Sequence, residues 1–190
     1  MVTPLVERAR LLAGQHLAGL TDRRAHVRGV ASVAAAVAEA LDSEHAAAIT
    51  CAAWLHDVGY APDVADTGFH PLDGARYAEQ QGFPALVVSL VAYHTGAVFE
   101  AEQRGDRNAL EEFPLPPSDL LDVVTYADMT TAPDGSSVPA ADRLAEILSR
   151  YEDSDPVYAA VSRSGPELLA SVARVQNRLR EASCTLVQPR

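Results

Sequence analysis

In the stretch WLHDVGYAPDVADTGFHPLDGARYAE, residues 54–79, His56 and Asp57 close an apolar run and His70 follows fourteen positions on. Imidazole and carboxylate are ligands for divalent ions and also serve as general acids and bases. Neither sits against alanine, valine and leucine without cost, because a buried carboxylate is penalised unless its charge is met. His26, His94 and Asp128 raise the same question elsewhere in the chain.

Helical periodicity answers where these groups point. Residues 22–41 put His26 on one face with Val30, Val33, Val37 and Leu41, with Thr21 or Asp22 as the cap in front. Residues 43–58 open on Ser43 and Glu44 and run apolar to Gly59, so His56 shares a face with Ile49, Ala52 and Ala53. Short helices follow at about 71–81, stopped by Gly82, and 84–95, started by Pro84, where His94 continues the series Val87, Leu90, Val91. The helix in SDLLDVVTYADMT sets Asp128 seven residues after Leu121 and four after Val124. No Arg or Lys lies between residues 113 and 142 to neutralise Asp128, and a bound metal is the simplest compensation. His16, in the first helix (residues 4–19), and His45, beside Glu44, lack such companions and read as surface or structural histidines.

The rest of the chain reads as scaffold. Residues 100–112 form a polar connection, Pro and Gly break the chain at 114–117 and 133–139, and helices at about 139–151 and 156–182 carry no visible chemistry. The β-branched cluster at 86–91 fits the 3.6-residue period better than alternation. The expectation is an all-α, compact single-domain bundle over residues 1–190, with a helical extension at about 139–182.

Composition narrows the partners. The chain has 26 acidic and 15 basic residues, all of the latter Arg, for a formal net charge of −11. Such a surface repels nucleic-acid polymers, yet a metal site could still draw in one small anionic substrate. Cys51 and Cys184 are too few and too far apart for a disulfide scaffold, the N-terminus has no signal-peptide core, and no apolar run spans a bilayer. A cytoplasmic protein without membrane contact is expected; the oligomeric state leaves no trace in the sequence.

The series His26, His56-Asp57, Asp128 resembles the H…HD…D signature of the HD-domain superfamily of metal-dependent phosphohydrolases, and HDVGY is similar to its common HD-[IV]-G tract. His70 in FHPLDGA and His94 in AYHTG match the two further histidines of the binuclear branch. The resemblance covers roughly residues 20–132 and implies a helical fold and two divalent transition-metal ions (Fe, Mn, Ni, Co or Zn). His26, His56, Asp57 and Asp128 would hold one ion and His70 and His94 the second, with Asp57 as the bridging, catalytically essential carboxylate. Thiolate ligands are absent, which argues against structural zinc.

The chemistry implied is hydrolysis of a small phosphoester or nucleotide by metal-activated water. Arg23, one turn before His26, together with Thr95 and Thr131, could bind phosphate oxygens, and Tyr60 stands where many binuclear members carry Lys. By pattern alone, Arg23 and Arg76 read first as surface arginines. The same ligands also resemble those of the mixed-valent di-iron oxygenases of this superfamily, whose phosphonate-cleaving branch has a Tyr and a Glu before the first histidine; HLAGLTDRRA, residues 16–25, has neither. A non-catalytic, metal-stabilised binding module is the third reading.

Overall fold

The computed structural model describes residues 3–152 and 154–187. Among these the chain is all-α, and its only β-type pairing is an isolated antiparallel bridge between Thr131 and Ser137. Helix α1 (Pro4–His16) starts where Pro4 needs no amide partner and the Thr3 hydroxyl accepts from the Val6 amide. Helix α2 (Thr21–Leu41) buries Val30, Ala31, Ala34, Val37 and Ala38, small or branched side chains that let α3 (Ala46–Leu55) lie against it. Helix α3 is apolar on nearly every side because it is the central helix: α1, α2, α5 (Ala85–Tyr93) and α8 (Ser118–Met129) all pack on it.

Around that centre run α4 (His70–Gln80), α6 (Ala97–Arg104), α7 (Arg107–Leu110), α9 (Ala140–Leu148) and the long α10 (Pro156–Val187). Helix α10 packs along α8, α6 and α9, and the Arg174 guanidinium grips the buried Asp122 of α8 with two hydrogen bonds of 2.7 and 2.8 Å. No helix among the described residues is long and apolar enough to cross a membrane. Cys51 is buried in α3, where desolvation pushes its thiol up to about 12, and Cys184 is exposed.

Two glycines permit the approaches that matter most for the interior. A Cβ at Gly29 of α2 would lie 2.7 Å from the Gly135 carbonyl and from Thr131 Cγ2, so the turn after α8 rests directly on the α2 backbone. A Cβ at Gly59, in the 3₁₀ turn Val58–Tyr60, would fall on the His70 carbonyl oxygen and 2.8 Å from the Gly74 amide, so that turn abuts the first turns of α4 main chain to main chain.

The local start signals differ from the sequence expectation. Thr21 is the first helical residue of α2, Leu20 sits at the cap position, and no side chain caps that end. The start of α3 falls at Ala46, after a turn in which Asp42 rather than Ser43 or Glu44 accepts from the His45 amide. It stops at Leu55, before Gly59. Residues 100–112 are not a plain polar connection: Ala97 and Ala101 are buried one turn apart, Glu100 pairs with Arg104, and Gly105 ends α6 in the left-handed conformation before α7.

Candidate metal centre

Three of the four histidines in question are oriented by a bond from Nδ1 to a backbone carbonyl, local in two and long-range in the third. His56 follows the last residue of α3, and its Nδ1–H donates to the Ala53 carbonyl three residues back, at 2.8 Å. His94 follows the last residue of α5 and donates in the same way to Val91, at 2.6 Å. Both carbonyls belong to helix ends that lack an intrahelical donor, so each ring satisfies its own helix while its orientation is fixed. His26, in the second turn of α2, directs Nδ1 to the Ala132 carbonyl, 3.2 Å away in the turn that rests on Gly29. A carbonyl only accepts, so in all three rings Nδ1 carries a hydrogen and Nε2 is turned to a common interior.

His70 is the first residue of α4, and the loop before it is gathered by the buried Asp73. That carboxylate accepts from the amides of Asp66, Thr67 and Gly68 at 3.0–3.2 Å and from the Thr67 hydroxyl at 2.8 Å. The four imidazoles then form an arc, with ring centroids 5.5 Å apart for His26–His56, 5.2 Å for His56–His94 and 5.1 Å for His94–His70.

The donors fall into two groups of three, His26–His56–Asp128 and Asp57–His70–His94, with the ligand atoms of each group within 4.8 Å of one another. Asp57 touches both groups: Oδ2 is 3.5 Å from His56 Nε2 and Oδ1 is 3.6 Å from His70 Nε2. His56 Nε2 has no hydrogen-bond partner although it is fully buried. With Nδ1–H committed to Ala53, its lone pair faces the Asp57 oxygen, and two electron-rich atoms in that relation call for a cation. His70 Nε2 and His94 Nε2 also face each other, at 3.2 Å. These neutral-nitrogen and carboxylate donors fit a divalent transition metal.

The protonation of each group follows from what it meets. Burial alone would lower His26, but the 2.9 Å hydrogen bond to Asp128 Oδ1 and that residue's charge raise its pKa above the ordinary value. Desolvation, then the His94 ring, hold His70 well below its ordinary value, and desolvation and His56 lower His94. For Asp57 burial is outweighed by His56, Arg23, His70 and His26, and for Asp128 by the His26 bond and by His56, so both carboxyls are depressed and ionised at neutral pH.

The remaining expected contacts are divided. Arg23 is no surface arginine: its Nη1 donates to Asp57 Oδ2 at 2.7 Å, and its guanidinium lies 3.9 Å over the Tyr60 ring, which in turn stacks on His70 at 4.0 Å. The Thr95 hydroxyl donates to Asp128 Oδ2 at 2.5 Å, so it holds a donor rather than standing free for phosphate. Thr131 is buried, and its hydroxyl is spent on the Ala127 carbonyl. Arg76 pairs with Glu112 near the surface. His16 has partners that no local sequence shows, Asp63 at 2.8 Å and the Tyr77 hydroxyl at 2.7 Å, and His45 pairs with Asp42.

Two arginines of the supposed scaffold also reach the site. Arg143 and Arg150, from α9 and its end, line the cavity with His26, Asp57, His70, His94 and Asp128. The signal for Arg143 was its phase, three after the buried Ala140 and four before the half-buried Ile147. Comparison with known proteins gives one result: a family model described as HD domain matches residues 23–132, more than half of the chain and every donor named above. No curated protein and no solved structure matches the chain.

Proposed function

The chain belongs to the HD domain family, generally metal-dependent phosphohydrolases that bind divalent metals, and from this premise we propose that it hydrolyses a small phosphoester or nucleotide at a binuclear centre. His26, His56 and Asp128 would hold one ion, His70 and His94 the other, and Asp57 would serve both. The observation that carries this reading is the bare, buried Nε2 of His56 within an arc of five further donors.

Two divalent ions supply Lewis acidity and an activated water for attack on phosphorus. The chain's own residues prepare the rest. The Nδ1–H bonds to Ala53, Val91 and Ala132 fix three imidazoles before anything binds. Thr95 holds Asp128, and the two oxygens of Asp57 face the two groups of donors. Arg23, braced on Asp57 and Tyr60, lines the cavity and offers a guanidinium to phosphoryl oxygens. The test is metal analysis of the full chain reconstituted without oxygen, followed by a phosphoester screen. Two ions per chain and release of phosphate are expected; a chain that holds no metal at saturation, or a loaded one that cleaves no phosphoester, overturns the reading.

A further inference from the structure

Among the described residues only two buried side-chain polar atoms lack a hydrogen-bond partner, His56 Nε2 and Arg143 Nε. They have opposite character. The first is a lone pair that needs a cation, and the second is an N–H that needs an acceptor. Arg143 is 5% exposed, and its only acceptor among the described residues is Glu146, reached through Nη1. The same carboxylate takes two bonds from Arg150, at 2.7 and 2.8 Å, so one half-exposed Glu146 is shared by two guanidiniums. A buried guanidinium with an idle donor is costly unless something else completes it.

That guanidinium lies where two cavities meet. One is the small cavity of the metal donors. The other, of about 600 Å³, runs between the start of α2 and α9 and is lined by Thr21, Arg23, Tyr60, Arg143, Glu146 and Arg150, among others; of the six candidate metal ligands only His26 reaches it. Its size suits a small-molecule ligand. The amino end of α2, which no side chain caps, forms one wall, and backbone N–H groups at such an end favour anions. Three of the chain's 15 basic residues face this hollow against two carboxylates, Asp22 and Glu146, in a protein of net charge −11.

We propose that this cavity is a second anion subsite, in which Arg143, with Arg150, binds a phosphate or carboxylate of the substrate other than the phosphoryl group being cleaved. The inference rests on the hydrolase reading above and narrows it: the substrate is a phosphoester with two anionic groups. Glu146 occupies the anion's place when no substrate is bound, and a substrate anion displaces it from both guanidiniums.

The first arm of the test needs no turnover. Sulfate is titrated calorimetrically into the metal-free full chain and into Arg143→Gln, Arg143→Lys, Glu146→Gln and the exposed control Arg107→Gln, with folding checked by circular dichroism. One sulfate site is expected, weakened about tenfold or more by Arg143→Gln, less by Arg143→Lys, tightened by Glu146→Gln and unmoved by Arg107→Gln. No site in the wild type, or one indifferent to Arg143→Gln, overturns the proposal. Should Arg143→Gln fail to fold, Glu146→Gln decides alone: affinity unchanged or weakened overturns it. The second arm compares propyl phosphate, 3-phosphonooxypropanoate and propane-1,3-diyl bisphosphate on the manganese-loaded chain. A KM at least about tenfold lower for one or both two-anion substrates, lost in Arg143→Gln, supports the subsite, and which of the two is preferred identifies carboxylate or phosphate. Equal KM values for all three overturn the subsite but leave the hydrolase standing; absence of any cleavage overturns the hydrolase, and the sulfate arm still decides whether the anion site exists.

Discussion

The two groups of donors at the centre are made of the same residue types and are buried alike, yet they hold protons in opposite ways. In His26–His56–Asp128 a carboxylate lies 2.9 Å from an imidazole and raises it, and that carboxylate is itself held by Thr95. In Asp57–His70–His94 two imidazoles face each other across 3.2 Å, and both are depressed. Burial pushes His26, His70 and His94 toward the neutral form, and only at His26 does a carboxylate, Asp128, reverse the sign. The first group is thus partly satisfied by its own proton, whereas the histidines of the second are already in the form a metal takes.

The largest effect should come from the residue that blurs this division. Asp57→Ala is expected to remove both ions and all measurable turnover, because its two oxygens face the two groups. Loss of a single ion by metal analysis would show two independent sites. Next, His70→Ala or His94→Ala should strip one ion and leave the other, and His26→Ala should do the reverse, whereas His45→Ala, in a surface pair with Asp42, should leave metal content unchanged. Identical losses from His70→Ala and His26→Ala would erase the comparison.

The protons give a subtler test in the metal-free chain. His70 and His94 are depressed, so their contribution to stability is complete above the ordinary histidine value of about 6.5 and is lost as pH falls through their folded values. His26 is raised, so its contribution is complete below that value and is lost as pH rises through its folded value. Chemical unfolding from pH 5 to 8 should therefore show His94→Gln easing the acid-side loss and His26→Gln costing most on the acid side. Parallel curves for the two variants would contradict the assigned signs.

The smallest difference separates two variants of Thr95, whose φ of 40° is the only positive value among non-glycine residues described. Thr95→Ala loses the bond to Asp128 and keeps the strain, at a cost of about 1–2 kcal/mol. Thr95→Gly loses the same bond but is relieved of about 1 kcal/mol of backbone strain, so it should unfold later than the alanine variant. Metal affinity should fall about tenfold in both. Equal unfolding midpoints would mean that the backbone there is not strained.

What the sequence made legible is the part written in local periodicity. His26, His56, His94 and Asp128 each sit in phase with apolar neighbours, and each is buried. The caps were less legible, because Thr21 and Ser43 are good starters by propensity, whereas Leu20 and His45 stand at the two cap positions. Arg143 lies one residue beyond the stretch without cations, and its burial is visible in its phase. Its meaning is not, since only the packing of α9 against α8 and α10 brings it to a cavity that starts at Thr21, more than a hundred residues earlier. Thr95 and His16 were likewise opaque for want of any local trace of Asp128, Asp63 or Tyr77.

The contact at Gly59 sets a ruler for the centre. Asp57 and His70 belong to segments that meet through main-chain atoms, with no side chain between them to be trimmed or exchanged. Ligands can be swapped at a centre built this way and the spacing will survive, so it should tolerate redesign of its donors better than redesign of this one residue without a side chain. Even alanine at position 59 would act as a wedge, parting the His56-Asp57 segment from the start of α4 and opening the interval that any two-ion chemistry has to keep closed.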